Sequence, residues 1–139
     1  MNASENRRQL TILLAKPGLD GHDVGVKVLA HALIECGFKV IYTGLRKSVA
    51  EIADRANEGK AALIGLSILS GTHREICRQM NAELKRRGLA VPWIIGGNIP
   101  NEDIPELVEI GALAAFPTGT TIETVIEFCR QFAEKASKP

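Results

Sequence analysis

Aromatic side chains are scarce in this 139-residue chain, which has one Trp, one Tyr and four Phe. So few rings leave little for base stacking, and 17 basic residues against 16 acidic ones create no field to recruit a polyanion. Nucleic acid is not an expected partner. Cysteines are few as well. Cys36, Cys77 and Cys129 are odd in number, far apart in sequence and set in stretches that read as helical. That fits neither a disulfide framework nor a thiolate metal site, so they are read as reduced, partly buried hydrophobes. No apolar run reaches the ~20 residues that span a bilayer. The polar opening Met1 to Arg8 leads into strand-like sequence rather than a secretory segment, so the expectation is a cytoplasmic protein with no membrane partner. A composition of 45% hydrophobic and 24% charged residues suits one ordinary domain.

What is present is an alternation of short β-branched runs with longer helical stretches, repeated about five times without a low-complexity linker. It predicts strands over Leu10 to Ala15, Phe38 to Tyr42, Ala61 to Leu66, Val91 to Ile95 and Leu113 to Phe116. Helices are expected over Val24 to Cys36, with Gly37 as the left-handed stop, and after Ser48, whose spacing to Glu51 is that of a capping box. A third carries Ile76, Met80 and Leu84 before Gly88, and a short fourth carries Ile104, Leu107 and Val108 before Gly111. Thr120 and Glu123 are expected to cap the last. Right-handed crossovers then give an α/β, flavodoxin-like three-layer sandwich with a five-stranded parallel sheet in the order 2-1-3-4-5. Residues 1–9 are expected to form an N-terminal arm, 10–135 the domain and 136–139 a frayed tail.

In such sheets a ligand sits at the carboxyl ends of the strands, where the order reverses. The unusual residues fall at that edge. They are Lys16-Pro17-Gly18-Leu19-Asp20-Gly21-His22-Asp23-Val24-Gly25 after strand one, Ser67 to His73 after strand three, Gly96-Gly97-Asn98 after strand four, and Pro117 to Thr120 after strand five. Glycines and hydroxyls gathered on one rim suit a bulky ligand lying close to backbone.

Two readings of the first loop stand. His22 can project outward as a metal ligand, with Asp20 accepting its second N–H and Lys16 holding Asp20 ionised. Alternatively, Asp20 and Asp23 cap a helix and His22 is a solvated loop residue. A protein-only zinc site lacks ligands, since only His22, His73 and scattered carboxylates are to hand. A single ligand suits a metal that brings its own macrocycle, and the shortage of aromatics and methionines argues against haem. His31, in mid-helix, is assigned no role.

Asp20-x-His22-x-x-Gly25, then Ser67-x-Leu69, then Gly96-Gly97 resembles the three-part signature of base-off, His-on cobalamin-binding domains. In that family the cofactor's dimethylbenzimidazole tail leaves the cobalt for a pocket between sheet and helices, and a histidine takes its axial place. The resemblance implies His22 as the cobalt ligand, Asp20 as its hydrogen-bond partner and Lys16 as the next member of the relay. Gly25 would give the tail room, Ser67 would hydrogen-bond it and Leu69 would pack on it. Gly96 and Gly97 would line its nucleotide portion, and Gly119 and Thr120 match the family's Phe-x-x-Gly-Thr. Gly21, Asp23 and Gly71 belong to the same cofactor-binding loops. His73 matches a histidine often seen after Ser-x-Leu and is not read as a ligand. The family's common Arg two residues after its histidine is Val24 here.

Within the family, the stretches from Lys16 to Asp23 and from Leu113 to Thr120 are most similar to methylmalonyl-CoA mutase and its relatives, which include small subunits of 2-hydroxyisobutyryl-CoA-type mutases. The resemblance thus implies adenosylcobalamin as cofactor and carbon-skeleton isomerisation of an acyl-CoA by radical chemistry. It also implies a separate large (β/α)₈-barrel subunit that binds the acyl-CoA, with a G-protein chaperone as a further candidate partner. The ~250 residues of such a barrel do not fit here, so the chain is not expected to catalyse alone. The alternatives are a corrinoid protein for methyl transfer, which usually carries an upstream helical cap, and a non-catalytic cobalamin-binding module. A response-regulator receiver is disfavoured, because Ser67 stands where a phosphorylatable Asp should end strand three.

Overall fold

The computed structural model describes residues 10–18, 24–68 and 71–137. Five strands, β1 (Thr11–Ala15), β2 (Lys39–Tyr42), β3 (Leu63–Ile68), β4 (Trp93–Gly97) and β5 (Ala114–Phe116), form one parallel sheet in the order β2-β1-β3-β4-β5. The helices are α1 (Val24–Glu35), α2 (Val49–Glu58), α3 (His73–Arg87), α4 (Ile104–Ile110) and α5 (Ile122–Ser137), with a 3₁₀ turn over Asn101–Asp103. This is the expected flavodoxin-like sandwich.

Side-chain alternation along each strand divides the core in two. Leu13 and Ala15 of β1 join Ile52, Ile76, Met80 and Leu84 under α2 and α3. Ile12 and Leu14 join Val26, Leu33, Ile126 and Cys129 under α1 and α5. Both faces being covered explains why the strands read as continuous apolar runs.

Local chemistry sets most element ends. Ser48 Oγ accepts from Glu51 N at 3.1 Å while Glu51 Oε1 accepts from Ser48 N at 3.1 Å, so the capping box forms as expected. Gly37 (φ 98°) follows α1 and Gly88 (φ 69°) closes α3, both left-handed. The last helix begins one residue later than expected. Thr121 Oγ1, not Thr120, accepts from the backbone N–H three residues on, at Thr124, and Thr120 Oγ1 instead donates to the Pro117 carbonyl. Val108 of α4 faces outward, about half exposed.

Strands three and four both lie two residues further along than the apolar runs suggested. Pro92 has no N–H for the ladder, and its carbonyl accepts from Ile64 N at 3.0 Å just before β4 begins. At the other end Ser67 pairs with Gly96 and Ile68 with Gly97. Residues that read as loop are therefore the final rungs of the sheet, and they carry site side chains on rigid backbone.

All three cysteines are free thiols, Cys36 half-buried and the other two buried. Burial pushes the Cys77 thiol up to about 12, and burial followed by the nearby Cys36 does the same to Cys129. A raised thiol pKa keeps its proton on the native state while the unfolded chain ionises near 9, so stability falls as pH rises from there towards 12. The expected slope is up to about 1.4 kcal/mol per pH unit for each thiol. Urea titrations at pH 8 and pH 10 read it, and Cys77→Ala and Cys129→Ala should flatten it.

Candidate functional site

At the carboxyl edge of the sheet, a cavity of about 230 Å³ opens between the α1/α5 face and the strands. Its floor is β1, β3 and β4, and its walls come from Leu29 and Leu33 on one side and Ile122, Val125 and Cys129 on the other. Glycines set its shape. A Cβ at Gly65 would lie 2.8 Å from Leu14 Cδ2, so a larger residue there would displace a side chain that lines the floor. A Cβ at Gly25 would meet nothing within 4 Å among the described residues, so the α1 side of the slot is open where a ligand would lie. Phe116 closes one end, held edge-on by Phe128 with ring centroids 5.5 Å apart. The lining is mostly apolar, with Ser67, Thr120 and Thr121 as its hydroxyls.

Six residues singled out in the sequence, Gly25, Ser67, Gly96, Gly97, Gly119 and Thr120, line this one slot. Gly71 (φ 82°) is exposed and lies outside its lining. Asp20, Gly21, His22, Asp23 and Leu69 lie outside the described residues. His31 makes an exposed pair with Glu35 at 3.0 Å. Among the described residues, no group of three or more His, Cys, Asp or Glu side chains is placed to hold a metal ion. No helix there is long and apolar enough to cross a membrane.

Lys16 follows directly on β1 and is fully buried, its Nζ donating to the Ser67 carbonyl at 2.9 Å and reaching Ser67 Oγ at 3.4 Å. Burying an ammonium is costly unless oxygen atoms surround it, and two Ser67 oxygens lie within its reach here. Sequence reasoning named both residues but linked Lys16 to Asp20 and did not foresee its contact with Ser67, because 51 residues separate them. It also missed the slot walls on α1 and α5, whose apolar residues look in sequence like ordinary core.

The B12 binding domain family model matches residues 10–127. Ethylmalonyl-CoA mutase of Cereibacter sphaeroides is 43% identical over 109 residues, 78% of this chain and 17% of that protein. The 2-hydroxyisobutanoyl-CoA mutase small subunit of Aquincola tertiaricarbonis is 35% identical over 122 residues, 87% of this chain and 90% of that subunit. Among solved structures, a cobalamin-binding protein from Desulfitobacterium hafniense superposes with a TM-score of 0.76 at 27% identity, over 91% of this chain and 60% of that one. The chain thus spans less than a fifth of the ethylmalonyl-CoA mutase and nearly all of the small subunit. Fold, slot and sequence agree that the chain belongs to the B12-binding domain family and is a cobalamin-binding domain related to those of acyl-CoA mutases.

Proposed function

We propose that this domain holds adenosylcobalamin base-off and His-on, presenting it to a separate (β/α)₈-barrel subunit that isomerises an acyl-CoA. The slot carries the reading. At about 230 Å³ it is smaller than the ~300–1,000 Å³ pockets that enclose whole drug-sized ligands, so it suits a flat side arm rather than a corrin ring. The residues present fit a benzimidazole tail, with apolar walls, glycine backbone on the floor and the Ser67 hydroxyl at the rim.

In this reading His22 is the axial cobalt ligand, Asp20 accepts its second ring N–H, and Lys16 keeps Asp20 ionised while donating to Ser67. Adenosylcobalamin, when bound, supplies the radical that starts the rearrangement. The chain's own task is to ligate, orient and bury. Similarity along nearly the whole of a chain named as a small subunit supports the two-subunit arrangement.

The test is to load the protein with cob(II)alamin and record EPR spectra with natural and ¹⁵N-labelled polypeptide. A nitrogen pattern that changes on labelling is expected, and an unchanged one would show that the axial donor is not from the protein. The slot makes a second prediction, at Gly25. Gly25→Ala should raise stability by up to about 1 kcal/mol, since glycine is a poor helix residue and its Cβ direction is open. Gly25→Leu should instead fill the slot and weaken cobalamin binding by about tenfold or more. Urea midpoints and corrinoid titrations separate the two effects.

A further inference from the structure

Strands β1 and β3 pair as far as Ala15 with Leu66, so Lys16 and Ser67 come side by side one position past that rung. Side-chain alternation puts both on the face that carries Ile12, Leu14 and Gly65, which is the face of the slot. Ser67 lines the slot, on backbone held by its pairing with Gly96. Lys16 is fully buried beside it, with Nζ 2.9 Å from the Ser67 carbonyl oxygen and 3.4 Å from Ser67 Oγ.

The chemistry of the two groups fixes which way Ser67 acts. An ammonium has three donors and no acceptor, so Ser67 Oγ can only accept from Lys16. Its own proton must go elsewhere, and no acceptor among the described residues takes it. The other two hydroxyls of the slot are engaged differently. Thr120 Oγ1 donates to the Pro117 carbonyl at 2.7 Å. Thr121 Oγ1 accepts from Thr124 N at 3.2 Å and shares a hydrogen bond with Thr124 Oγ1 at 3.0 Å. Lys16 thus holds Ser67 as a hydrogen-bond donor in a mostly apolar slot.

We infer that Lys16 is a positioning residue that sets tail specificity: by taking the acceptor side of Ser67 Oγ, it makes the slot selective for a ring offering an unprotonated nitrogen lone pair. A ring with C–H in that place leaves the Ser67 proton buried without an acceptor, and a protonated ring nitrogen sets two donors against each other. In a base-off cofactor that lone pair is the one released from cobalt, and the same contact satisfies it. This role is separate from the proposed relay from Lys16 through Asp20 to His22, and it rests on the reading of the slot as the tail site.

The experiment uses the full chain and two cobalt-free ribosides, titrated by calorimetry. One is α-ribazole, whose benzimidazole has a free ring nitrogen, and the other its 5,6-dimethylindole analogue, in which that nitrogen is C–H. Neither carries cobalt, so axial ligation does not enter. Wild type is expected to bind α-ribazole on the order of tenfold more tightly than the indole riboside. Ser67→Ala should abolish that preference. Lys16→Met, which frees the hydroxyl to turn away, should lower it to about threefold or less, and should change it no further in the Ser67→Ala background. A wild-type preference that survives in Lys16→Met, or an equal loss of affinity for both ribosides, overturns the inference. Should Lys16→Met fail to fold, Lys16→Gln, whose amide oxygen can accept the Ser67 proton, is read by the same criterion. A wild-type chain that binds both ribosides alike overturns the inference and leaves the tail slot standing, whereas one that binds neither overturns the tail-slot reading itself.

Discussion

Gly97→Ala is expected to destabilise the protein by about 3 kcal/mol or more. The corresponding fall in melting temperature is roughly 10 °C. Gly97 has φ 127°, which side chains rarely adopt, and a Cβ there would sit 2.0 Å from the Ile68 carbonyl oxygen, 2.8 Å from its carbon and 3.0 Å from its nitrogen. Every one of those atoms is backbone, so no rotamer change relieves the contact. The chain can accept the methyl group only by separating β4 from β3 at their last rung, Ile68 with Gly97, where the slot has its floor. Cobalamin binding should therefore fall with stability. Thermal unfolding followed by circular dichroism reads the effect, and a midpoint within 2 °C or so of wild type would refute the account. Gly25 makes the useful contrast, because there the same added methyl group meets nothing within 4 Å among the described residues.

His22→Ala should show the opposite separation, with stability close to wild type and cobalamin affinity lowered by about 100-fold or more. The magnitude follows from what the residue is proposed to contribute. Loss of a single carboxylate behind a metal-bound imidazole already weakens such sites by about 10–100-fold, and losing the imidazole removes the donor itself. Asp20→Asn should accordingly fall between His22→Ala and wild type. Whatever corrinoid His22→Ala retains should keep its own benzimidazole on cobalt, so the nitrogen pattern in its EPR spectrum should no longer depend on labelling the protein. Binding within threefold or so of wild type would remove His22 from the site.

The elements most legible in the sequence were those fixed by neighbours. The Ser48 and Glu51 side chains lie three residues apart, and Gly37 and Gly88 end their helices through their own backbone angles. Strand order also followed from local alternation, because right-handed crossovers leave few ways to connect five parallel strands. The shortfalls share a cause. Gly96 and Gly97 read as a turn, yet their pairing with Ser67 and Ile68 makes them strand. Thr120 and Thr121 offer the same hydroxyl one residue apart, and with Thr120's given to the Pro117 carbonyl it is Thr121 that accepts from the helix.

For the site, the residue types were readable and their connections were not. The glycines, Ser67 and Lys16 announce themselves because such residues are unusual at the ends of apolar strands. What Lys16 touches, and that His73 finds Asp103 thirty residues away, depends on how the segments cross in space. Periodicity and spacing act over a few residues, so the chain by itself determined its layers, its strand order and which loops share one edge. Only the folded molecule decided where the strands end, how wide the slot is and which buried polar groups meet, since those follow from contacts between segments that sequence distance does not constrain.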